Sequence, residues 1–215
     1  MEPFIKKIQQ INTIEGAIAE LKTQIEITPK LDEVINFSIG AHKEQFRKSG
    51  EPYVVHPILV ASIAARFSND EDIVATALLH DVVEDTKYHL DFIRDKWGDN
   101  VAHMVDGLTK IVEIREHEKV SSKESNSKLL SSALTFRKML VASIDDVRVL
   151  VVKLCDRLHN LMTLDALDRQ KQISIAEETL VVYVPIAHRL GISSIKNALE
   201  DLSFYYIYPK EYEKI

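Results

Sequence analysis

Apolar residues recur at helical spacing along most of this chain, and few turn-forming residues interrupt them, since Gly and Pro occur six times each. The stretch 73–79 is apolar on nearly every side, which predicts a buried helix. The acidic residues Asp70, Glu71 and Asp72 just before it are favoured at a helix start. The pattern therefore predicts an all-α protein with helices over 31–47, 58–64, 73–79, 88–97, 99–112, 129–143, 145–164, from 168 onward, and 193–206.

Two segments depart from this regular pattern. Residues 1–24 have weak apolar periodicity, which predicts a surface helix that ends before Pro29. Residues 113–128, with the sequence EIREHEKVSSKESNSK, are charged, rich in serine and poor in apolar side chains, which predicts a mobile loop. Two interpretations of this loop remain open: a lid or regulatory segment, and a connection without a role of its own.

The composition excludes some classes of function and indicates the cellular compartment. With 46% hydrophobic and 28% charged residues, the chain can build a core and is not typical of disordered or membrane proteins. The net charge of −6 argues against a non-specific nucleic-acid binder, so DNA is not an expected partner. The single cysteine, Cys155, cannot form an internal disulfide, which favours a reducing compartment. No stretch reaches the roughly 18 apolar residues of a membrane span, and the N-terminus has no apolar signal core. We therefore expect a cytoplasmic protein without a membrane partner.

The candidate chemistry begins where the buried helix ends. The chain continues there as HDVVED, residues 80–85. If the helix runs on, Glu84 lies near His80 and Asp81, and Asp85 lies near Asp81, because residues three and four apart share a face. Carboxylates at the end of an apolar element repel one another and are costly to desolvate unless they are paired. A divalent cation would relieve both costs, so the cluster predicts a metal site with Glu84 and Asp85 as an adjacent acidic pair.

The predicted helix 145–164 carries two stripes at helical spacing. A helix with one core face and one organised polar face is suited to form the wall of a pocket. Its Asp156 is the carboxylate that we expect to face the first cluster. The polar stripe consists of Lys153, Asp156, Asn160 and Thr163, and the apolar stripe of Val147, Leu150, Val151, Leu154, Leu158 and Leu161.

A third candidate element is His56, just before Pro57 at a helix start. Together with His80, Asp81 and Asp156 it forms a set of two imidazoles and two carboxylates. Such a set suits Mn, Fe or Zn, and its oxygen share favours the harder ions. A metal there could activate water and stabilise charge on a phosphoryl oxygen, while the acidic pair orients the water or takes its proton. Each element alone also fits a structural role, as a solvated helix end, an ion-paired face or a turn residue.

Several longer segments of the sequence carry further information. In their order along the chain they resemble the N-terminal hydrolase domain of the RelA/SpoT (Rel) alarmone enzymes, over about residues 31–212. The intact HDVVEDT and CDRLHN segments favour an active domain over a degenerate one. The matching segments are RKSGEPYVVHP (47–57), ATALLHDVVEDT (75–86), VDGLTKI (105–111), FRKMLVA (136–142), VRVLVVKLCDRLHNLMTL (147–164), YVPIAHRLGI (183–192) and LEDLSF (199–204).

The resemblance implies a helical HD-domain bundle that binds one Mn²⁺ ion. It implies a guanosine-3′,5′-bis(diphosphate) 3′-pyrophosphohydrolase, which converts ppGpp or pppGpp to GDP or GTP and pyrophosphate and so degrades the alarmone of the stringent response. Residue by residue, it implies metal ligands at His56, His80, Asp81 and Asp156, a catalytic pair at Glu84 and Asp85, and guanosine binding at Arg47, Lys48, Ser49, Asn160 and Thr163.

We expect an N-terminal helical extension at 1–30, an HD hydrolase domain at 31–192, and a C-terminal helix with the start of a linker at 193–215. The chain stops at Ile215, soon after the point where longer family members continue into a synthetase domain, so it resembles an excised hydrolase half. Linked synthetase and regulatory domains are then the expected partners in the full-length protein. Met162 departs from the family, which often has Arg there, and this departure affects a polar contact near the nucleotide.

Two other functions are compatible with the residues alone. One is an HD phosphohydrolase for another nucleotide, such as a dNTP or NADPH, which a substrate panel with Mn²⁺ would distinguish. The other is a non-catalytic nucleotide sensor, which need not retain all four metal ligands.

Overall fold

A computed structural model describes residues 3–119 and 127–214. In these ranges the chain is helical without strands, which confirms the all-α prediction. None of the helices there combines the length and the apolar composition needed to span a bilayer. The helices are α1 (Pro3–Ile8), α2 (Ile14–Gln24), α3 (Pro29–Ala41), α4 (Val55–Phe67), α5 (Glu71–Leu79), α6 (Val82–Asp85), α7 (Leu90–Trp97), α8 (Asp99–Lys119), α9 (Ser127–Ala142), α10 (Arg148–Met162), α11 (Arg169–Glu178), α12 (Val184–Arg189), α13 (Ser193–Ile207) and α14 (Pro209–Tyr212).

Helices α4 and α5 form the centre of the molecule. All residues from 55 to 65 and all from 73 to 79 are buried, which confirms the buried helix predicted at 73–79. Helix α4 packs against α2, α5 and α10, and α5 also packs against α3 and α8. Both helices are mostly apolar, so His56 in the first turn of α4 and His80 just after α5 place polar groups deep in the core.

Helix α10 joins this centre to a second group of helices, because it contacts α4 on one side and α13 on another, and α13 packs against α11 and α12. Its leucines at 150, 154, 158 and 161 are buried, as the apolar stripe predicts. Val147 is an exception, since 51% of its surface is exposed. It precedes the first turn of α10, where the helical face is not yet established.

The N-terminal segment differs from the surface helix predicted for 1–24. It forms two helices, α1 and α2, and the Thr13 side chain caps the second by accepting a hydrogen bond from the Gly16 amide at 3.1 Å. Ile8 and Leu21 are buried, and α2 packs on α4. The apolar residues are divided between two short helices, which is why a single period does not reveal their buried face.

The loop predicted at 113–128 is helical at both ends. Helix α8 continues to Lys119 and α9 begins at Ser127, so the prediction is wrong at both ends, while residues 120–126 lie outside the described part of the chain. The segment EIREHEK consists largely of Glu, Lys and Arg, which are good helix formers. A low apolar content therefore did not distinguish a loop from a polar stretch of helix.

Candidate active site

The chain turns at His80 and Asp81, between α5 and α6. The sequence left open whether the helix continues past Leu79; in the structure α5 ends at Leu79 and α6 is a separate turn that begins at Val82. The Leu78 carbonyl, which a continuing helix would pair with residue 82, accepts a hydrogen bond from the buried Ser38 hydroxyl at 2.9 Å. This contact joins α3 to the end of α5, where the candidate ligands begin.

Side chains from three elements converge at this turn. Nε2 of His56, from α4, lies 3.3 Å from Oδ1 of Asp156, on α10, and 3.8 Å from Oδ2 of Asp81. Nε2 of His80 lies 3.1 Å from Oδ2 of Asp81 and 3.8 Å from Oδ1 of Asp156. Candidate ligand atoms of His56, His80 and Asp81 all lie within 4.8 Å of one another. The structure therefore brings together the four residues that the sequence proposes as metal ligands.

One buried nitrogen in this cluster lacks a hydrogen bond. Nδ1 of His80 lies 2.8 Å from the carbonyl oxygen of Ala77, which can only accept, so Nδ1 carries a hydrogen. Nε2 of His80 is buried and makes no hydrogen bond, although a carboxylate oxygen of Asp81 is near. An imidazole fixed at one nitrogen and bare of partners at the other is the usual arrangement of a histidine metal ligand. The donor set thus fits a divalent cation.

Further polar side chains hold the carboxylates. Lys153 donates to Oδ2 of Asp156 at 2.8 Å. The Tyr53 hydroxyl lies 2.6 Å from Oδ2 of Asp81 and 2.9 Å from Oδ2 of Asp85, so it joins a candidate ligand to the acidic pair. The sequence assigned no role to Tyr53, although it stands three residues before His56 in the RKSGEPYVVHP segment.

The charges of this cluster shift its protonation equilibria strongly. Burial lowers the pKa of His56 to about 4. Burial also opposes the charged form of His80, but the Asp81 and Asp156 carboxylates outweigh it and raise the pKa of His80 to about 9. Glu84 is exposed on one side, yet loss of solvent around its carboxyl and the charge of Asp81 raise its pKa to about 7. Without a cation, a proton on His80 therefore balances part of the negative charge of the Asp81 and Asp156 carboxylates.

We expect binding of one divalent cation near pH 7 to release at least about one proton. The pKa of His80 is raised to about 9, so its ring is protonated below that pH and must lose the proton before Nε2 can bind a metal. The affinity should accordingly fall up to about tenfold for each pH unit below 9. Calorimetric titration with Mn²⁺ in two buffers of different ionisation enthalpy measures the released protons. Binding without proton release would contradict the protonated state of His80.

A cavity of about 520 Å³ opens beside the cluster, within the size range of small-molecule sites. All the site residues predicted from the sequence line it, apart from His80, which contacts Asp81 instead. The whole polar stripe of α10 is part of this lining, which confirms its predicted position in a pocket wall. Met162, where the family often has Arg, is buried and is not among the lining residues.

The RKSG segment forms a tight turn rather than the end of a helix, because α3 already ends at Ala41. The Gly50 amide donates to the Arg47 carbonyl at 2.9 Å, and Gly50 has a φ of +99°, which favours glycine. This turn directs the Arg47 guanidinium across the cavity, where it donates to Oδ1 of Asn160 at 3.0 Å and to Oγ1 of Thr163 at 3.1 Å. Two distant candidate nucleotide-binding segments therefore meet.

The cavity also has an apolar part that sequence reasoning missed. Phe46 lies in its lining with 66% of its surface exposed, next to the basic turn. Leu164, Leu167 and Ile175 contribute further apolar surface. A single exposed Phe before RKSG carries no periodic signal, so only the fold reveals its position. This part of the cavity is suited to the face of a planar ring.

Arg157 is buried, unlike a residue on a solvated helix face. It donates to Oε2 of Glu178 at 2.9 Å and to the Tyr183 hydroxyl at 2.6 Å, and its guanidinium lies 3.9 Å from the centre of the Tyr183 ring. Glu178 precedes a π-helical turn, Thr179–Tyr183, and π-helical turns often occur near functional sites. Arg157 thus fixes α10 against the following helices at the wall of the cavity.

Comparison with known proteins relates this geometry to a family. Residues 35–193 match the model of the HD domain. The chain is 48% identical over 176 residues to a GTP pyrophosphokinase of Myxococcus xanthus, covering 82% of this chain and 22% of that protein. It is 41% identical over 211 residues to a guanosine-3′,5′-bis(diphosphate) 3′-pyrophosphohydrolase of Aquifex aeolicus, covering 98% of this chain and 29% of that protein. The chain thus spans less than a third of either relative.

A solved structure supports the fold. It is described as a metazoan ortholog of SpoT that hydrolyses ppGpp and plays a role in starvation responses. The likeness covers 82% of this chain and 95% of that one, with a TM-score of 0.63 and 24% sequence identity. The helical arrangement around the cavity is therefore shared with a known protein.

Proposed function

We propose, since this chain belongs to the HD-domain family and within it to the RelA/SpoT type, that it hydrolyses the 3′-pyrophosphate of ppGpp or pppGpp. The products are GDP or GTP and pyrophosphate. One observation carries the proposal: two buried imidazoles and two carboxylates converge at a cavity that also holds the RKSG turn, Asn160 and Thr163. A metal site and a nucleotide site thus occupy one pocket.

The HD domain implies dependence on a divalent metal, and we propose one Mn²⁺ ion held by His56, His80, Asp81 and Asp156. The equal share of nitrogen and oxygen donors supports an ion of this intermediate hardness. Such a cation supplies positive charge for a phosphoryl oxygen and makes a bound water more acidic.

The acidic pair has two distinct environments, and we assign a different role to each member. Asp85 is in contact with the Tyr53 hydroxyl, which fixes its carboxylate beside Asp81. Glu84 has a pKa raised to about 7, because its carboxyl is poorly solvated and lies near the charge of Asp81. A group that changes protonation near neutral pH is suited to general base catalysis. Glu84 accepts a proton from the attacking water, and Asp85 orients that water.

The reaction forms one bond and breaks one. The water oxygen bonds to the phosphorus next to the ribose, and the bond from that phosphorus to the 3′ oxygen breaks. The 3′ oxygen takes a proton and becomes a hydroxyl, and pyrophosphate leaves whole. Lys153 lies in the cavity wall and stays protonated, because the Asp156 carboxylate outweighs the effect of burial and raises its pKa, so it adds positive charge beside the reacting phosphate.

The guanosine is bound by Arg47, Lys48 and Ser49 from the turn, by Asn160 from α10 and by Thr163 just after it. A guanidinium plane can stack on a base, Lys can contact a phosphate, and an amide can pair with a base edge. The contacts of Arg47 with Asn160 and Thr163 support this arrangement, because they place the three side chains at one wall.

Arg47→Lys is expected to raise the KM for ppGpp about tenfold and to leave kcat nearly unchanged, since Lys keeps the charge but loses the guanidinium plane, whose Nη2 donates to both Asn160 and Thr163. Steady-state kinetics with Mn²⁺ measures the two constants separately. Arg94→Lys is the matched control, because Arg94 lies on α7 and pairs with Asp91 and Asp99, outside the cavity. A fall in kcat at constant KM would place Arg47 in the chemical step instead.

Product analysis tests the function itself. The protein is incubated with Mn²⁺ and, separately, with ppGpp, pppGpp, a dNTP or NADPH, and the products are separated by anion-exchange chromatography. We expect GDP from ppGpp, GTP from pppGpp, and pyrophosphate from both. Turnover of a dNTP or NADPH without turnover of the alarmones would refute the substrate assignment.

The two relatives are longer chains, and we propose linked synthetase and regulatory domains as the natural partners of this region.

A further inference from the structure

We propose that His159 is a positioning residue that accepts a hydrogen bond from Nδ1 of His56 and so keeps Nε2 of His56 free to bind the divalent cation. His159 is not one of the four candidate ligands, and it lies on α10 one turn after Asp156. The inference rests on the proposed metal site, but it does not depend on which nucleotide is hydrolysed.

The two imidazole rings meet inside the core. Nδ1 of His56 lies 2.9 Å from Nδ1 of His159, and only 2% and 3% of the two residues is exposed. At this separation two N–H groups would collide and two lone pairs would repel, so one hydrogen lies between the rings. Burial lowers the pKa of both rings, which keeps both neutral near pH 7.

The opposite edge of His56 decides which ring must donate. Its Nε2 faces the carboxylates, at 3.3 Å from Asp156 and 3.8 Å from Asp81. A histidine binds a metal through a nitrogen lone pair, so Nε2 has no hydrogen when a cation is bound. The neutral ring then carries its hydrogen on Nδ1. His159 must therefore accept at Nδ1 and hold its own hydrogen on Nε2.

This partner differs from the one that fixes His80. Nδ1 of His80 faces a backbone carbonyl, which can accept but cannot donate, so the backbone alone selects its tautomer. Nδ1 of His159 can either accept or donate a hydrogen bond, so the pair of rings has two neutral tautomeric forms. Without a cation, Nε2–H of His56 can donate to Asp156 while His159 donates to Nδ1 of His56. Cation binding selects the other form, and the number of protons on the pair does not change.

The tautomers can be read directly by NMR. In protein with ¹⁵N-labelled histidine and bound Zn²⁺, which is diamagnetic, we expect long-range ¹H–¹⁵N spectra to show His56 protonated at Nδ1 and His159 protonated at Nε2. A zinc-loaded protein in which His159 carries its hydrogen on Nδ1 would overturn the proposal. This measurement uses the wild-type chain, so it does not depend on whether any variant folds.

Two substitutions test the effect on affinity. His159→Leu removes the acceptor and keeps an apolar side chain in the core, and we expect the Kd for Mn²⁺ to rise about 10–100-fold. His159→Asn places an amide oxygen where Nδ1 stands, because both atoms are bonded to Cγ, and we expect affinity close to wild type. Leu150→Val is the control for a small core defect on the same helix. Wild-type affinity in His159→Leu would refute the role of His159.

The outcomes separate this inference from the proposed function. If the zinc-loaded protein has the expected tautomers but the Mn²⁺-loaded protein leaves ppGpp intact, His159 keeps its role and the alarmone assignment fails. If ppGpp is hydrolysed but His159→Leu binds Mn²⁺ normally, the function stands and this inference fails. A chain that binds neither Zn²⁺ nor Mn²⁺ would overturn both.

Discussion

Asp81→Asn is expected to abolish measurable binding of Mn²⁺ and to lower the rate of ppGpp hydrolysis at least about a thousandfold, which corresponds to ~4 kcal/mol of transition-state stabilisation. The amide has nearly the shape of the carboxylate but not its charge. Oδ2 of Asp81 lies within 3.8 Å of Nε2 of both His56 and His80, so the substitution removes a negative charge that lies close to both imidazoles. Calorimetric titration with Mn²⁺ and turnover assays measure the two effects.

The folded structure should survive this change. Asp81 precedes α6 without capping it through its side chain, and Tyr53 can still donate to the amide oxygen. Asp91→Asn is the matched control, since Asp91 is an exposed residue of α7 with a surface ion pair to Arg94. Circular dichroism confirms folding of both variants. An Asp81→Asn protein with wild-type turnover would refute the metal site at this turn.

Glu84→Gln is expected to lower kcat about 10²–10⁴-fold while leaving Mn²⁺ affinity nearly unchanged, because a general base contributes about this factor and Glu84 is not among the proposed ligands. Glu44→Gln is the control, since Glu44 is an exposed residue outside the cavity lining. Rate measurements with saturating Mn²⁺ and ppGpp give kcat for the three proteins. A small loss in Glu84→Gln would assign proton abstraction to Asp85 instead.

The same substitution should change the pH dependence of hydrolysis. Glu84 can accept a proton only when it is ionised, that is, above its pKa, so activity should fall as the pH drops through that value. The pKa is raised to about 7 in the metal-free protein, and the positive charge of a bound cation lowers it, so the midpoint should lie at or below pH 7. In Glu84→Gln the residual rate should lack this acid limb. If the rate of Glu84→Gln still fell at low pH as in the wild type, a group other than Glu84 would be responsible for the pH dependence.

The helical class and the ligand candidates follow from patterns that are local in the chain. The apolar stretch before His80 has no polar face, so it can exist only inside a core, and the carboxylates at its end need compensation. The polar stripe of α10 is likewise visible as a helical repeat, and the structure places all four of its members in the cavity wall. Motif resemblance then associated the separate segments with one activity.

The contacts between distant segments depended on tertiary structure. No periodicity relates Tyr53 to Asp85, Arg47 to Asn160, or His159 to His56, because each pair comes from different elements whose approach is set by packing around α4 and α5. Whether α5 continues past Leu79 was likewise left open by the sequence, and the structure ends α5 there and begins α6 at Val82.

The sequence by itself determined that this protein is helical, that His56, His80, Asp81 and Asp156 are its candidate metal ligands, and which family it resembles. These features depend on side-chain type, on spacing within single helices and on local motifs, which a chain displays directly. Only the tertiary structure decided that the four candidate ligands meet, that the acidic pair has two environments, and that His159 lies beside His56. Those properties arise from desolvation and from hydrogen bonds between elements, and they exist only after the helices have packed.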